Sequence, residues 1–145
     1  MSVLKEKRGE QKLEVLIKAK SLMEYILQIT QNEKTFKPVN QALTLDIIQC
    51  AERIYTYLYT ANEVYRNKAN IEIRRNYQTK AFAECNVLLA LFDLAQQVNH
   101  FSSKRLRNAN RIINGAEVNG IKEKGLKTLI QNWKESDRKI ISKEA

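Results

Sequence analysis

The apolar positions of the chain recur at steps of three and four over most of its length. Because an α-helix turns once per ~3.6 residues, this spacing places the apolar side chains on one side of a helix. The clearest stretch runs from Asn76 to His100 and contains no Gly and no Pro. It carries Ala81, Phe82, Cys85, Leu88, Leu89, Phe92, Ala95 and Val98 at this spacing. The pattern predicts a central helix that touches more than one neighbour.

Two further helices are predicted before this stretch. The first runs from about Glu10 to Asn32 and follows a charged arm at residues 1–9. The second spans about Asn40 to Asn67, after a loop that contains the only Pro of the chain. We expect Phe36, in that loop, to fold back onto the core. The connection to the third helix is short, and the third helix begins somewhere in residues 69–76.

The segment after the third helix has two interpretations. Ser102 or Ser103 is placed to cap a fourth helix, whose apolar positions continue to Trp133. Asn114-Gly115 and Asn119-Gly120 interrupt it, and each Gly costs ~1 kcal/mol relative to Ala inside a helix. The segment is therefore one long helix with a weak middle, which we favour, or two helices with a turn near Asn119-Gly120. Residues 139–145 are predicted to fray.

Four apolar stripes joined by short links are typical of an all-α, antiparallel up-down-up-down four-helix bundle, here residues 10–138. The composition agrees with this fold. The 145 residues suit one domain, and four Gly with one Pro are too few for the many turns of a sandwich or barrel.

The net charge of +9 is unevenly distributed. Residues 1–65 contain 9 Lys or Arg and 8 Asp or Glu, whereas residues 66–145 contain 16 and 8. A one-sided excess of +8 suggests an anionic partner such as RNA or DNA. The competing interpretation is charge that only keeps helix surfaces solvated.

Two groups of basic residues are the candidate nucleic-acid-binding residues. Arg74 and Arg75 stand at the start of the third helix, and the second group follows on the fourth helix: Lys104, Arg107 and Arg111 in one stripe, with Arg105 beside it. Arginine suits phosphate because its planar fork binds bidentately. No helix-turn-helix, RNP motif or zinc finger is recognisable, so contact with the phosphate backbone is predicted rather than reading of bases.

The sequence offers little for catalysis, and no enzyme, cofactor or metal site is predicted. His100 is the only histidine, the two cysteines lack CxxC spacing, and no phosphate-binding glycine loop is present. Glu84 is expected to pair with Lys80, one helical turn away. Cys50 and Cys85 are expected to be buried free thiols. Without a secretory signal or an apolar run of ~18 residues, a cytoplasmic location is the expectation.

The order of these segments resembles a known family. The segments are a Leu-rich first helix, the Phe36–Pro38 loop, the helix with FAECNVLLALFDLA and an ending in LIQNWKE. This order resembles the small four-helix-bundle family that includes Avd, the accessory variability determinant of diversity-generating retroelements. The resemblance covers about Lys12 to Lys134. A sister branch of the family is encoded in intervening sequences of ribosomal RNA genes.

Two features place the chain nearer the retroelement branch. Residues 53–58 are bulky, where the intervening-sequence proteins carry small residues, and Leu129-Ile130-x-x-Trp133 resembles the retroelement ending. The resemblance implies a homopentamer with a basic surface that binds a reverse transcriptase and its template RNA without catalysing the chemistry. The alternative is a structural or interaction protein of the intervening-sequence type, with no nucleic-acid role. Three tyrosines at residues 55, 57 and 59 are compatible with self-association.

Overall fold

The computed structural model describes residues 2–32, 36–37, 40–98 and 102–144, and within them the chain is mostly helical. The elements are α1 (Ser2–Thr30), α2 (Gln41–Glu63), α3 (Ile71–Gln97), α4 (Ser103–Asn114), β1 (Gly115–Val118), β2 (Ile121–Lys124) and α5 (Leu126–Glu144). The predicted all-α class is therefore broadly confirmed, with a two-stranded sheet that the helical pattern did not predict. No helix of the described ranges is both long and apolar enough to cross a membrane.

The central helix predicted from the apolar pattern is confirmed. Ala81, Cys85 and Leu88 are fully buried on α3, as are Phe92 and Ala95. This helix packs most extensively on α2 and also contacts α4 and α5. Burial of a side chain the size of Leu88 or Phe92 contributes roughly 1.5–3 kcal/mol, so α3 is a central part of the core and joins α2, α4 and α5.

The helix ends differ from the predicted ones at three places. The helix α1 begins at Ser2 and includes the residues predicted as a loose arm, which contain several strong helix formers. The helix α2 ends at Glu63, four residues before the predicted end. The helix α5 continues to Glu144 through the tail predicted to fray, and Ile140 on this extension is buried. Phe36 is buried as expected.

The favoured single long fourth helix is wrong, because a β-hairpin separates α4 from α5. Ile113 and Trp133 are both buried. The 20 positions between them amount to about 200° of rotation at ~100° per residue, so one straight helix would point them to opposite sides. Because the hairpin interrupts the helix, α5 starts at a new angular position, and Trp133 can face the core as Ile113 does. The turn near Asn119-Gly120 belonged to the alternative interpretation with two helices, and it is present as the tip of the hairpin.

The hairpin has a tight two-residue connection. Its register pairs Val118 with Ile121 and Gly115 with Lys124. Asn119 has φ 53° and Gly120 has φ 78°, and positive φ at both central residues is the signature of a type I′ turn. An exposed hairpin alone is marginally stable, so this one depends on its attachment to the helices.

Two glycines form the base of the hairpin. A Cβ at Gly125 would overlap backbone atoms of Asn114 and Gly115, and a Cβ at Gly115 would overlap backbone of Glu123 and Gly125. The strands leave and return to the helical layer at the same point only because neither residue has a side chain.

Gly125→Ala is therefore expected to lower the free energy of unfolding by about 2–3 kcal/mol, because backbone must move to admit the methyl group. Gly120→Ala is the matched control: its φ is positive but nothing lies within 4 Å of the added Cβ, so only about 1 kcal/mol of backbone strain is expected. Urea unfolding followed by circular dichroism measures both. Equal losses in the two variants would contradict the close-approach argument.

Candidate nucleic-acid interface

Arg74 lies in the protein interior, not on a basic surface. Only 4% of the residue is exposed. Its Nε donates to Oδ2 of Asp137 at 2.9 Å, and its Nη2 donates to Oδ1 of the same carboxylate at 3.2 Å. Its Nη1 donates to the carbonyl oxygens of Ala61 and Val64 at 2.9 and 2.8 Å. The expectation that Arg74 contacts phosphate does not fit this geometry.

Arg74 also caps the C-terminal end of α2. The last carbonyls of a helix have no partner within the helix. Arg74 supplies donors to two of these carbonyls and places its positive charge at the negative end of the helix dipole. Its guanidinium also lies 5.3 Å from the ring centre of Trp133.

Asp137 completes a buried polar cluster between α3 and α5. The carboxylate is 1% exposed and also accepts from Nε2 of Gln78 at 3.0 Å, and Nη1 of Arg66 lies 3.9 Å away. Burying a charge is costly unless it is paired and hydrogen-bonded, and both conditions are met here. The cluster is structural, and it removes Arg74 from the candidate interface.

Arg75 is separated from the other candidates. Its side chain is 42% exposed, and its Nη1 lies 4.0 Å from Oε1 of Glu72 on the same helix. The opposite end of α3 meets the start of α4, where Gln96 donates to Oγ of Ser103 at 3.3 Å. At 1.5 Å per residue, these two points are roughly 30 Å apart along α3. The structure therefore does not bring Arg75 together with the α4 residues.

The helix α4 presents a continuous basic face. Ser102 caps it, as expected, by accepting from the backbone N–H of Arg105 at 3.3 Å. Ala109 and Ile113 are buried, whereas Lys104, Arg107 and Arg111 are exposed and Arg105 is half-buried. The helix contains no Asp or Glu. A narrow apolar seam thus attaches α4 to the core and leaves Lys104, Arg107 and Arg111 exposed to solvent.

Arg111 has a partner on the hairpin. Its Nε and Nη2 donate to Oε2 of Glu123 at 3.1 and 2.6 Å, and Nζ of Lys18 lies 3.6 Å from Oε1 of Glu123. The hydrogen bonds from Arg111 lower the pKa of Glu123. Arg111 therefore joins α4 to the hairpin, and Lys104 and Arg107 are the stronger phosphate-binding candidates.

The two thiols and Glu84 lie close together in a second cluster. The burial of the thiols was predicted from the sequence, but the partner of Glu84 was not. Glu84 pairs with Arg53 of α2, with Nη2 to Oε2 at 3.2 Å, rather than with Lys80. Lys80 lies over the rings of Tyr57 and Tyr77. Burial acts to raise the pKa of Glu84, but hydrogen bonds from Arg53 and Cys50 lower it overall.

Both cysteines are buried and free, as expected. Burial raises the pKa of Cys50 to about 12, with a further increase from its hydrogen bond to Glu84. Burial likewise raises the pKa of Cys85 to about 12. Since the thiolate is the nucleophile, these thiols are unreactive near neutral pH. No cluster of three or more His, Cys, Asp or Glu suited to a metal ion occurs in the described ranges, which exclude His100.

No family model matches the chain, and no curated protein or solved structure matches it.

Arg74→Ala is expected to lower the free energy of unfolding by about 3–5 kcal/mol, because Asp137 is left as an unpaired buried carboxylate. Arg75→Ala is the matched control and should change stability by no more than about 0.5 kcal/mol, because its side chain is partly exposed. Equilibrium urea unfolding measures the difference. Similar midpoints for the two variants would show that the Arg74 cluster does not stabilise the fold.

Proposed function

We propose that this protein is a non-catalytic accessory protein of a diversity-generating retroelement, which binds a reverse transcriptase and template RNA to support mutagenic retrohoming. The proposal includes a four-helix bundle in which α4 and α5 together take the place of the fourth helix. The helix contacts support this architecture, because α1 and α3 each contact α2 on one hand and both α4 and α5 on the other. The resemblance of the segment order to the Avd-like family points to the same function.

The exposed basic face of α4 is the observation that carries the nucleic-acid part of the proposal. Lys104 and Arg111 are seven residues apart, which is about 10 Å along the helix. One strand of a DNA duplex carries about three phosphates over that length. A polyanion backbone therefore matches the stripe in length and charge, and such contacts position a nucleic acid without reading its sequence.

Lys104→Ala combined with Arg107→Ala is expected to weaken binding to a structured RNA and to flatten its salt dependence. Each lost phosphate contact lowers the slope of log K against log salt by about 0.7–0.9, so a reduction of roughly 1.4–1.8 is expected. Fluorescence anisotropy at several salt concentrations measures this. Lys20→Ala combined with Lys37→Ala removes the same charge from other exposed positions and should preserve most of the slope. No RNA binding by the unaltered protein at low salt would overturn this part of the proposal.

Self-association into a homopentamer is the second part of the proposal. Four apolar residues of the α3 region are 44–48% exposed: Ile73, Val87, Leu94 and Val98. Ile73, Val87 and Leu94 are spaced by multiples of seven, so they lie along one side of the helix. An exposed apolar stripe of this kind is typical of a helix that packs against another subunit.

Val87→Glu combined with Leu94→Glu should therefore reduce the oligomer to smaller species while the fold persists, because both side chains are already partly solvated. Light scattering at micromolar concentration gives the molar mass, and circular dichroism checks the fold. Tyr65→Glu, at a residue that is 76% exposed outside α3, is the control. A monomeric unaltered protein would count against the homopentamer.

The alternative function is that of an interaction protein of the intervening-sequence type. It is favoured by the engagement of Arg74 and Arg111 with Asp137 and Glu123, which leaves less free positive charge than the sequence suggests. Gene neighbourhood separates the two functions. A reverse transcriptase gene with paired repeats beside this gene supports the retroelement function, and a position within a ribosomal RNA gene supports the alternative.

A further inference from the structure

A groove of about 440 Å³ lies between α1, the β-hairpin and α5. Its size is within the range of ligand-binding clefts. It is lined by Glu14, Ile17, Lys18, Ser21, Lys122, Lys124 and Leu129. The lining includes residues of β2 and none of β1, so β2 is the strand that borders it. None of the six candidate nucleic-acid-binding residues of α3 and α4 lines this groove.

Glu123 fixes the hairpin beside the groove. It is paired with Arg111 of α4 and lies near Lys18 of α1, so its carboxylate is engaged from both sides. Successive side chains of a strand point to opposite faces. Lys122 and Lys124 therefore share the face opposite to Glu123, and both are exposed.

The remaining lining combines apolar and basic character. Leu129, which is 6% exposed, gives the groove an apolar floor, and Ile17, which is 55% exposed, is an apolar side chain in contact with solvent. The lysines of β2 form a basic rim. Glu14 opposes any anion, so it does not distinguish a nucleic acid from an acidic peptide. Ile17 and Leu129 do distinguish them, because a nucleic-acid backbone would gain nothing from these apolar side chains. The lining instead suits a ligand that carries both apolar groups and carboxylates.

The strand β2 also has an unpaired edge. In the described residues the sheet has the order β1-β2, so each strand has a single neighbour. A two-residue turn closes a hydrogen-bonded pair at Val118 and Ile121, and hydrogen-bonded pairs alternate with non-hydrogen-bonded ones. The backbone groups of Lys122 and Lys124 therefore point outward from the sheet. An extended peptide can hydrogen-bond to such an edge.

We propose that this groove binds an extended segment of a partner protein in which acidic and apolar residues alternate. The segment adds as a third strand along β2. Its carboxylates, two residues apart, stand opposite Lys122 and Lys124, since cross-strand neighbours on one face interact. Its apolar side chains, on the other face, cover Ile17 and Leu129. This protein-binding site is separate from the basic face of α4 and does not depend on nucleic-acid binding.

The test uses the full chain and a fluorescein-labelled eight-residue peptide that alternates Glu and Val, followed by fluorescence anisotropy. Lys122→Glu combined with Lys124→Glu is expected to weaken binding roughly tenfold, because two attractions become repulsions. The same peptide with Gln in place of Glu should bind the unaltered protein about tenfold more weakly. Hydrogen exchange at the amides of residues 122 and 124 should slow when the Glu peptide is bound.

Lys68→Glu combined with Lys139→Glu is the matched control, because it makes the same change in net charge at exposed positions that do not line the groove. Its affinity for the peptide should stay within about twofold of the unaltered protein. An equal loss in both double variants would mean that the peptide responds only to net charge, and it would overturn the proposal. Short single-stranded RNA that displaces the peptide and loses affinity in the Lys122→Glu, Lys124→Glu variant would assign the groove to nucleic acid and overturn it as well.

Discussion

Three helices meet at the buried pairing of Arg74 with Asp137. Arg74 belongs to α3, Asp137 to α5, and the carbonyls of Ala61 and Val64 to the end of α2. Removing such charges from water costs several kcal/mol per ion, so the arrangement persists only where nearly every donor and acceptor is matched. An apolar contact tolerates small sliding of one helix along another. A bidentate pair that also caps a third helix does not, and we infer that it fixes the relative register of α2, α3 and α5.

The buried polar cluster and the exposed basic face of α4 lie on different parts of the chain. One end of α3 is committed to the polar cluster with Asp137, and the other end meets the start of α4. The fully buried side chains of α4 are Ala109 and Ile113, and they attach this helix, with its exposed basic residues, to the core. Surface residues of α4 can therefore vary without disturbing the buried cluster, which is the division expected when a rigid core supports a binding surface.

Much of the helical fold follows from sequence because apolar spacing is a local property. The predicted apolar face of α3 is confirmed at its five buried residues: Ala81, Cys85, Leu88, Phe92 and Ala95. Phe82 and Leu89 are half-buried, and Val98 at the end of the helix is 48% exposed, so the prediction was wrong there. The hairpin was missed although two signals were present. Asn119-Gly120 between Val118 and Ile121 is a strong hairpin pattern, and the phase of Ile113 against Trp133 was incompatible with one straight helix. Arg74 and Gln78 continue the buried stripe of α3 back from Ala81 at steps of three and four, so the spacing alone places Arg74 on the core side. The spacing could not identify its partner Asp137, which is 63 positions away.

The contact between Gly115 and Gly125 has a consequence for how this surface can change. The chain enters and leaves the hairpin at one point, so the segment between the two glycines is an insertion whose ends are already together. Loop-closure entropy grows only slowly with length, about 0.6 kcal/mol for each doubling. A longer or different hairpin could thus be accepted at this site while α4 and α5 keep their positions. The molecule carries an exchangeable element on a fixed support, which makes this position suitable for grafting a foreign binding loop.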